Sequence, residues 1–393
     1  AEKGFPSSWD MQGIQRTFQQ RAARWPGTAR AFLKNGTDIY EPGETWRQPD
    51  LGRTLRRIQR DGRDGFYKGE TARLIADFMR KNGGIITEAD LANYEAREQA
   101  PIRGTYRGYE VIGMAPPSSG GIATVQMLNI LEGYDLASLG HNSATTLHLM
   151  TEAMRRAFLD RARHIGDPRF NPDMPIERLT SKAYAAELRA GIDPYRASVS
   201  TPAQVDQVAE SEETTHLSVV DAAGNAVSLT YTLEYSYGAR IVVDGAGFLL
   251  NNEMGDFNAI PGRTDTTGTI GTRPNLIQPG KVMISSMTPT ILARDGKPVL
   301  VIGSPGGRTI INTVLQVILN VVDHGMNIAQ ANAPPVAARH HPDGADRIQP
   351  RHPAALRGDG APDELRREPG PCDGDLHRPG AGAALRRGGQ PGV

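Results

Sequence analysis

Apolar positions in the first part of the chain recur at spacings of three and four, which is the spacing of one face of an α-helix. The clearest series are Leu51, Leu55 and Ile58, and those within residues 74–78, 125–131 and 147–158. Thr87, with Asp90 three positions later, and Ser143 stand where helix N-caps are needed. The pattern therefore predicts a mostly helical region whose apolar stripes pack into a core.

The polar and apolar pattern changes after residue 190. Residues 190–213 are polar, with two prolines and a run of acids, which is typical of an exposed connector. Residues 216–220 and 226–232 then alternate on either side of a Gly-Asn turn, and this predicts a β-hairpin. Further on, the apolar run 298–302 predicts a strand, which a helix beginning near Ile310 follows.

Residues 335–393 have an unusual composition. They contain no Ser, Thr, Lys, Asn, Met, Phe, Tyr or Trp and are rich in Arg, Pro and Gly. A natural disordered tail is one explanation. Translation of a GC-rich coding sequence in a shifted frame is the other, and we favour it because the bias exceeds that of ordinary disordered segments. On either explanation we expect these residues not to fold.

Composition narrows the range of partners. Lys+Arg and Asp+Glu both number 44 in 393 residues, a balance that favours neither nucleic acid nor an anionic membrane as partner. Cys372 is the single cysteine, which excludes an intrachain disulfide framework. No apolar run approaches the length of a transmembrane helix, and the first residues carry no apolar signal-peptide segment.

Thr214 opens the β-containing region directly after the connector. A threonine hydroxyl is a weak nucleophile unless a base lies beside it, but a threonine at a chain N-terminus can use its own α-amine. The pKa of such an amine, about 8, suits general-base catalysis. Because Thr214 is internal, this chemistry first requires cleavage of the Glu213–Thr214 bond, for instance by attack of the Thr214 hydroxyl on the preceding carbonyl. A structural threonine pair at the start of a strand is the commoner meaning of such a sequence.

Three further segments carry polar groups that could bind a ligand. Gly303–Arg308 is a Gly-rich turn between a strand and a helix, where backbone N–H groups suit an oxyanion or a phosphate. Glu253 and Asp256 could bind an ammonium group, and Ser285 with Ser286 place two hydroxyls before a strand. Each segment alone is more often a turn that binds nothing. The chain shows neither the spacing of a Walker motif nor that of metal ligands.

Taken together and in this order, several segments closely resemble the small subunit of γ-glutamyltransferases. They are Thr214–Asp221, Asn251–Glu253, Ser285–Pro289 and Gly303–Gly307. Upstream, the segments Phe66–Gly69, Lys81–Thr87 and Pro116–Gly121 resemble the later part of the large subunit. The likeness runs from about Gly4 to Pro334. It implies an α/β N-terminal-nucleophile hydrolase fold, a four-layer αββα sandwich that is incomplete here at both ends.

The resemblance also implies how the chain is organised and what it does. Residues 1–213 would be the later part of a large subunit, 214–334 the core of a small subunit, and 335–393 the aberrant tail. Members of the family cleave themselves into two subunits and move a γ-glutamyl group from glutathione to water or an amino acceptor. We therefore expect a heterodimer from one precursor, small-molecule substrates and no cofactor or metal. A periplasmic or secreted location is implied in the same way.

The catalytic residues of the family can be carried over position by position. Thr214 would be the nucleophile and, after cleavage from Glu213, the new N-terminus. Thr232 would support it through a hydrogen bond. The backbone N–H groups of Gly306 and Gly307 would form the oxyanion hole.

The substrate-binding residues can be carried over likewise. Ser285 and Ser286 would hold the glutamyl α-carboxylate, and Glu253 and Asp256 would receive the α-amine. Glu234 occupies a position where many relatives have Asn, so it can accept a hydrogen bond from the ammonium but cannot donate one. Residues 261–280 match the lid-loop region, whose length tunes access by acceptors.

Two departures from the family pattern affect the expected activity. The arginine that clamps the substrate α-carboxylate lies in a part of the family that precedes this chain, and two serines do not replace a bidentate arginine. After Pro334 the family continues to further core strands, whose loss leaves apolar faces and backbone donors unpaired. We therefore expect the chain alone to fold poorly and turn over little. Two alternatives stay open: a β-lactam side-chain acylase acting on glutaryl amides, and a non-catalytic remnant.

Overall fold

The computed structural model describes residues 1–22, 24–199, 214–257 and 272–333. Within these ranges the helices are α1 (Trp9–Ala22), α2 (Pro26–Phe32), α3 (Pro49–Asp61), α4 (Asp64–Tyr67), α5 (Gly69–Lys81), α6 (Glu88–Asn93), α7 (Gly120–Leu131), α8 (Leu136–Leu139), α9 (Ala144–His164), α10 (Ile176–Leu179), α11 (Lys182–Ala190), α12 (Thr309–Val322) and α13 (Ile328–Asn332). The strands are β1 (Phe5–Pro6), β2 (Thr45–Trp46), β3 (Ile102–Tyr106), β4 (Tyr109–Gly113), β5 (Thr215–Val220), β6 (Ala226–Tyr231), β7 (Thr290–Arg294) and β8 (Lys297–Ile302).

An antiparallel sheet with the strand order β3-β4-β7-β8 forms the framework of the described region. Its register places Val111 opposite Leu292 and Leu292 opposite Leu300. All three side chains are buried, so they form one apolar row across three strands. Because β4 and β7 are far apart in sequence, this sheet joins residues on both sides of Thr214 into one core.

Helix α7 lies at the centre of that core. Every residue from Gly120 to Leu131 is buried, as expected for a helix that is apolar on nearly all sides. The helix packs against β3 and β4 on one side and against α9, α11 and α12 on others. Gly113 and Gly121 permit this close approach, because a Cβ on Gly113 would lie 2.8 Å from the Cα of Gly121. The sheet and α7 therefore hold the segments around residues 118 and 285 in fixed positions.

The predicted hairpin is confirmed as β5 and β6, which pair along their whole length. Its polar face is turned to the sheet, where the Ser228 hydroxyl donates to the Ile302 carbonyl (2.9 Å) and accepts from the Thr290 N–H (3.1 Å). The opposite face is exposed and consists of Leu217, Val219, Val227, Leu229 and Tyr231. The hairpin thus turns its polar, partly buried face to the sheet and exposes its apolar one, the reverse of the usual arrangement in a half-buried sheet.

Two predicted helix starts are confirmed. Thr87 and Asp90 form a reciprocal capping box at α6. At α9 the Ser143 hydroxyl accepts a hydrogen bond from the Thr146 N–H (3.1 Å). Both caps satisfy backbone donors that have no partner inside the helix.

The predicted core stripe of α3 is wrong in part, because Leu55 is 50% exposed. The helix instead turns Thr54 and Arg57 inward. The Thr54 hydroxyl donates to the Ala246 carbonyl (2.7 Å), and Arg57 donates to the Thr71 hydroxyl (2.8 Å). Apolar spacing misassigned the buried face because the buried polar side chains have hydrogen-bond partners, which offset the cost of removing them from water.

Some predictions lie wholly or partly outside the described residues. The connector is described only at 190–199, the lid-loop region only at 272–280, and the tail 335–393 not at all. The division into subunit parts at residue 213 therefore stays a prediction. In the described ranges, no helix combines the length and apolar character that crossing a membrane requires.

Candidate active site

The hairpin register brings Thr214 and Thr232 together. Thr215 pairs with Tyr231, so the residues just outside the paired strands face each other at the open end of the hairpin. The Thr214 hydroxyl donates to the Thr232 hydroxyl over 3.4 Å, a long hydrogen bond. Thr232 in turn accepts from the Glu234 N–H (2.9 Å). The threonine pair expected from the sequence is therefore a geometric consequence of the hairpin.

A cleft at this end of the hairpin gathers most of the predicted site residues. It is lined by Thr214, Thr232, Glu234, Glu253, Asp256, Ser285, Ser286, Met287, Gly307 and Ile310. Gly306 is not among the lining residues, and Glu213 lies outside the described part of the chain. Residues flanking the two strands of the hairpin, residues from two further segments and the start of α12 thus line one cleft.

Three acidic side chains, those of Glu234, Glu253 and Asp256, line the cleft. Glu253 and Asp256 lie in a 3-10 turn, and the Asn252 amide donates to the Glu234 carboxylate (2.6 Å), which holds Glu234 beside that turn. Burial and, to a smaller extent, the neighbouring Glu234 carboxylate together raise the pKa of Glu253 to about 7. One oxygen of Glu253 is buried without a hydrogen-bond partner among the described residues. A cation placed here would be attracted to all three carboxylates.

Replacing Glu253 with glutamine is expected to change the pH dependence of folding stability. The pKa of Glu253 rises from its ordinary value of 4.5 to about 7 in the folded protein, so between these values the folded form holds a proton that the unfolded chain has released. The free energy of unfolding of the parent therefore falls as pH rises through this window, and the variant lacks this titration. Between pH 4 and pH 8, the free energy of unfolding of Glu253→Gln should therefore rise by about 1 kcal/mol relative to that of the parent. This figure allows for the partial exposure of the side chain. Urea unfolding at both pH values measures this gain, and an unchanged difference would contradict it.

The two serines line the same cleft from the segment before β7. The start of α7 holds this segment through Ser118 and Ser119. The Ser119 hydroxyl and N–H both donate to the Ser285 carbonyl (2.8 Å each), and the Ser118 hydroxyl donates to the Met287 carbonyl (2.6 Å). The Pro-Pro-Ser-Ser-Gly-Gly motif upstream of Thr214 therefore positions the Ser285–Ser286 segment.

Arg161 is a residue near the site that the sequence reasoning missed. It lies in the last turn of α9, is 4% exposed, and donates to the Ser119 hydroxyl (2.8 Å) and the Ser286 hydroxyl (2.9 Å). A basic residue in the last turn of a helix is common because it favours the helix dipole. The sequence therefore carried no signal that this arginine reaches a segment 125 residues away.

The Gly-rich turn before α12 meets the cleft through Gly307. Gly306 and Gly307 both have positive φ, at 121° and 54°. Among the described residues, neither N–H has a hydrogen-bond acceptor. Donors at a helix start without acceptors suit a negatively charged oxygen, although only Gly307 lines the cleft. The described residues contain no group of three or more His, Cys, Asp or Glu side chains arranged to hold a metal ion.

Comparison with known proteins decides the family. A family profile described as Gamma-glutamyltranspeptidase matches residues 1–352. The chain belongs to the γ-glutamyltranspeptidase family. This confirms the resemblance that the Thr214, Asn251, Ser285 and Gly303 segments carry.

Relatives and solved structures give the extent of the likeness. The glutathione hydrolase proenzyme of Escherichia coli (strain K12) is 48% identical over 306 residues, which are 77% of this chain and 52% of that protein. The one of Pseudomonas sp. (strain A14) is 46% identical over 302 residues, again 77% of this chain and 52% of the relative. The chain thus spans about half the length of these γ-glutamyltranspeptidase relatives.

A solved structure supports the fold. The crystal structure of cephalosporin acylase from Bacillus halodurans matches with a TM-score of 0.67 at 27% identity, over 83% of this chain and 57% of that chain. With the family membership, this likeness confirms the predicted α/β N-terminal-nucleophile hydrolase fold.

Proposed function

We propose that this chain carries the nucleophile and donor-binding residues of an enzyme that transfers γ-glutamyl groups from glutathione or γ-glutamyl amides to water or amino acceptors. The observation that carries the proposal is the cleft that Thr214, hydrogen-bonded to Thr232, lines together with three carboxylates and a pair of serines. An α-amino acid has one ammonium and one carboxylate on the same carbon. A cleft lined by both acids and hydroxyl donors offers partners for that pair.

The proposed maturation step exposes Thr214 as a chain N-terminus. The Thr214 hydroxyl attacks the carbonyl of Glu213, the peptide bond is replaced by an ester, and water then hydrolyses the ester. The products are a carboxylate at Glu213 and a free α-amine at Thr214. Both relatives are named proenzymes, which supports such a step and the large and small subunits it would produce.

The proposed reaction then proceeds in two halves. The Thr214 oxygen attacks the γ-carbonyl carbon while the α-amine takes the hydroxyl proton. The N–H of Gly307, with that of Gly306, stabilises the oxyanion, and the intermediate expels the amine leaving group, which receives the proton. Water or an acceptor amine, deprotonated by the α-amine of Thr214, next attacks the glutamyl ester. This releases glutamate or a new γ-glutamyl amide and restores the hydroxyl.

Substrate orientation follows from the two sets of polar side chains that line the cleft. Glu234, Glu253 and Asp256 receive the α-ammonium, and Ser285 and Ser286 donate to the α-carboxylate. Ammonium binding requires the ionised form of Glu253, whose pKa is raised to about 7. Bringing a cation beside it lowers that pKa again, so binding and deprotonation are coupled.

A second candidate is hydrolysis of glutaryl amides. The structural likeness to a cephalosporin acylase favours this candidate, because the two activities share the nucleophile. A glutaryl group has no α-amine, however, so it brings no donor to the Glu253 oxygen that is buried without a hydrogen-bond partner among the described residues. This carboxylate therefore favours the γ-glutamyl donor.

Initial rates with a γ-glutamyl anilide and the matching glutaryl anilide test the proposal. We expect the γ-glutamyl compound to be hydrolysed at least about tenfold faster in kcat/KM, since an ammonium paired with carboxylates contributes more than 1 kcal/mol. Faster hydrolysis of the glutaryl anilide would favour the acylase, and no hydrolysis of either would favour a non-catalytic remnant.

We also propose a periplasmic or secreted location, which fractionation of expressing cells would test.

A further inference from the structure

Arg161 occupies a position that no sequence motif explained. Its guanidinium is buried between the start of α7 and the Ser285–Ser286 segment, and it contacts a hydroxyl on each. A buried guanidinium needs hydrogen-bond acceptors, and two of those that Arg161 has are the hydroxyls of Ser119 and Ser286. Its nearest hydroxyl on the cleft side belongs to Ser286, which lines the cleft itself.

The direction of the hydrogen bonds defines what Arg161 does to Ser286. A guanidinium can only donate, so the oxygens of Ser119 and Ser286 accept from it. The Ser119 hydroxyl donates its own hydrogen bond to the Ser285 carbonyl. The proton of Ser286 has no acceptor among the described residues. Because Arg161 occupies an acceptor position of the Ser286 oxygen, the O–H is directed away from the guanidinium, where a ligand in the cleft can accept it.

The lining of the cleft is consistent with this direction. Glu234, Glu253 and Asp256 line the same cleft as Ser286 and offer acceptors for an ammonium group. The guanidinium of Arg161 donates to the Ser286 hydroxyl. A hydrogen-bond donor backed by a cation is a stronger donor, particularly where water is excluded.

We propose that Arg161 is a positioning residue that makes Ser286 selective for the α-carboxylate of a zwitterionic α-amino acid ligand. Resting on the proposed function, this inference names the residue that directs the Ser286 hydroxyl toward that carboxylate. Arg161 acts through Ser286 and does not itself touch the ligand. Its action complements that of the carboxylates in the cleft, which receive the ammonium.

The test compares binding of L-glutamate with binding of 4-aminobutanoate, which differs only by lacking the α-carboxylate. Isothermal titration of the full chain gives both dissociation constants, and their ratio measures the contribution of the α-carboxylate. In Arg161→Met this ratio should fall at least about tenfold, the size expected for a lost hydrogen bond to a charged group. Arg161→Lys keeps the charge but cannot reach both hydroxyls, so it should restore only part of the ratio.

Matched variants separate this role from a merely structural one. Arg163→Met makes the same change on the exposed side of α9 and should leave the ratio unchanged. Should Arg161→Met fail to fold, Ser119→Ala takes its place. It removes one anchor of the guanidinium together with the side-chain bond to the Ser285 carbonyl, whose backbone bond from Ser119 remains, and should lower the ratio about threefold.

Three outcomes are decisive. A ratio that falls in Arg161→Met but not in Arg163→Met supports the inference. A ratio kept in both Arg161→Met and Ser119→Ala overturns it while leaving the proposed function intact. A parent chain with no preference for L-glutamate overturns the proposed donor site, and the role of Arg161 with it.

Discussion

Replacing Thr214 with alanine is expected to abolish both chain cleavage before residue 214 and hydrolysis of a γ-glutamyl anilide. The hydroxyl that attacks in both steps is then absent, and no other lining residue combines a hydroxyl with a future α-amine. We expect the rate to fall at least about 10³-fold, as loss of a catalytic nucleophile usually does. Intact mass after incubation at neutral pH reports cleavage, and anilide release reports turnover.

Two further variants make this prediction specific. Thr214→Ser keeps a hydroxyl and should retain cleavage and part of the rate. Thr215→Ala changes an exposed neighbour in β5 and should behave as the parent does. Cleavage or turnover that persists in Thr214→Ala would show that another group performs the chemistry.

Gly306→Ala is expected to lower kcat by about 10²-fold to 10³-fold, the usual effect of losing an oxyanion donor. Gly306 has a φ of 121°, which L side chains rarely adopt, and a Cβ there would lie 2.6 Å from the Thr309 hydroxyl. The turn must therefore shift, and the N–H of Gly307 shifts with it. KM should change less than kcat, because the donors act mainly on the transition state.

Gly325→Ala is the matched control for that substitution. Gly325 also has a positive φ, of 62°, but an added Cβ meets nothing within 4 Å. Both variants introduce a residue with backbone strain of about 1 kcal/mol. If kcat falls equally in both, the effect belongs to general destabilisation and not to the turn before α12.

The proximity of the two threonines can be predicted from the local sequence pattern. Alternation on either side of the turn near Gly224 predicts the hairpin and, with it, which residues face each other. Thr214 and Thr232 are therefore neighbours for a reason that is present in the sequence. The sequence does not show which side of the hairpin faces the sheet, because this depends on what packs against the hairpin. Ser228 bonds to the sheet, and apolar residues such as Leu229 are exposed.

Contacts between distant segments account for the rest. The motif at Ser118–Ser119 and the hydroxyls at Ser285–Ser286 were each visible, but their hydrogen bonds depend on how α7 packs on the sheet. Arg161 was missed for the same reason, since helical spacing says nothing about its partner in another segment. Gly306 and Gly307 came from the family pattern, and the structure distinguishes them by placing only Gly307 in the cleft lining.

The most direct measurement is to trap the acyl-enzyme. The full chain is mixed with a γ-glutamyl anilide, quenched in acid within the first turnovers, digested and examined by peptide mass spectrometry. The proposed mechanism predicts a peptide that begins at Thr214 and carries one glutamyl group in ester linkage, absent from Thr214→Ala. Anilide hydrolysis with an unmodified Thr214 peptide, or a glutamyl group on another residue, would contradict the assignment of Thr214 as nucleophile.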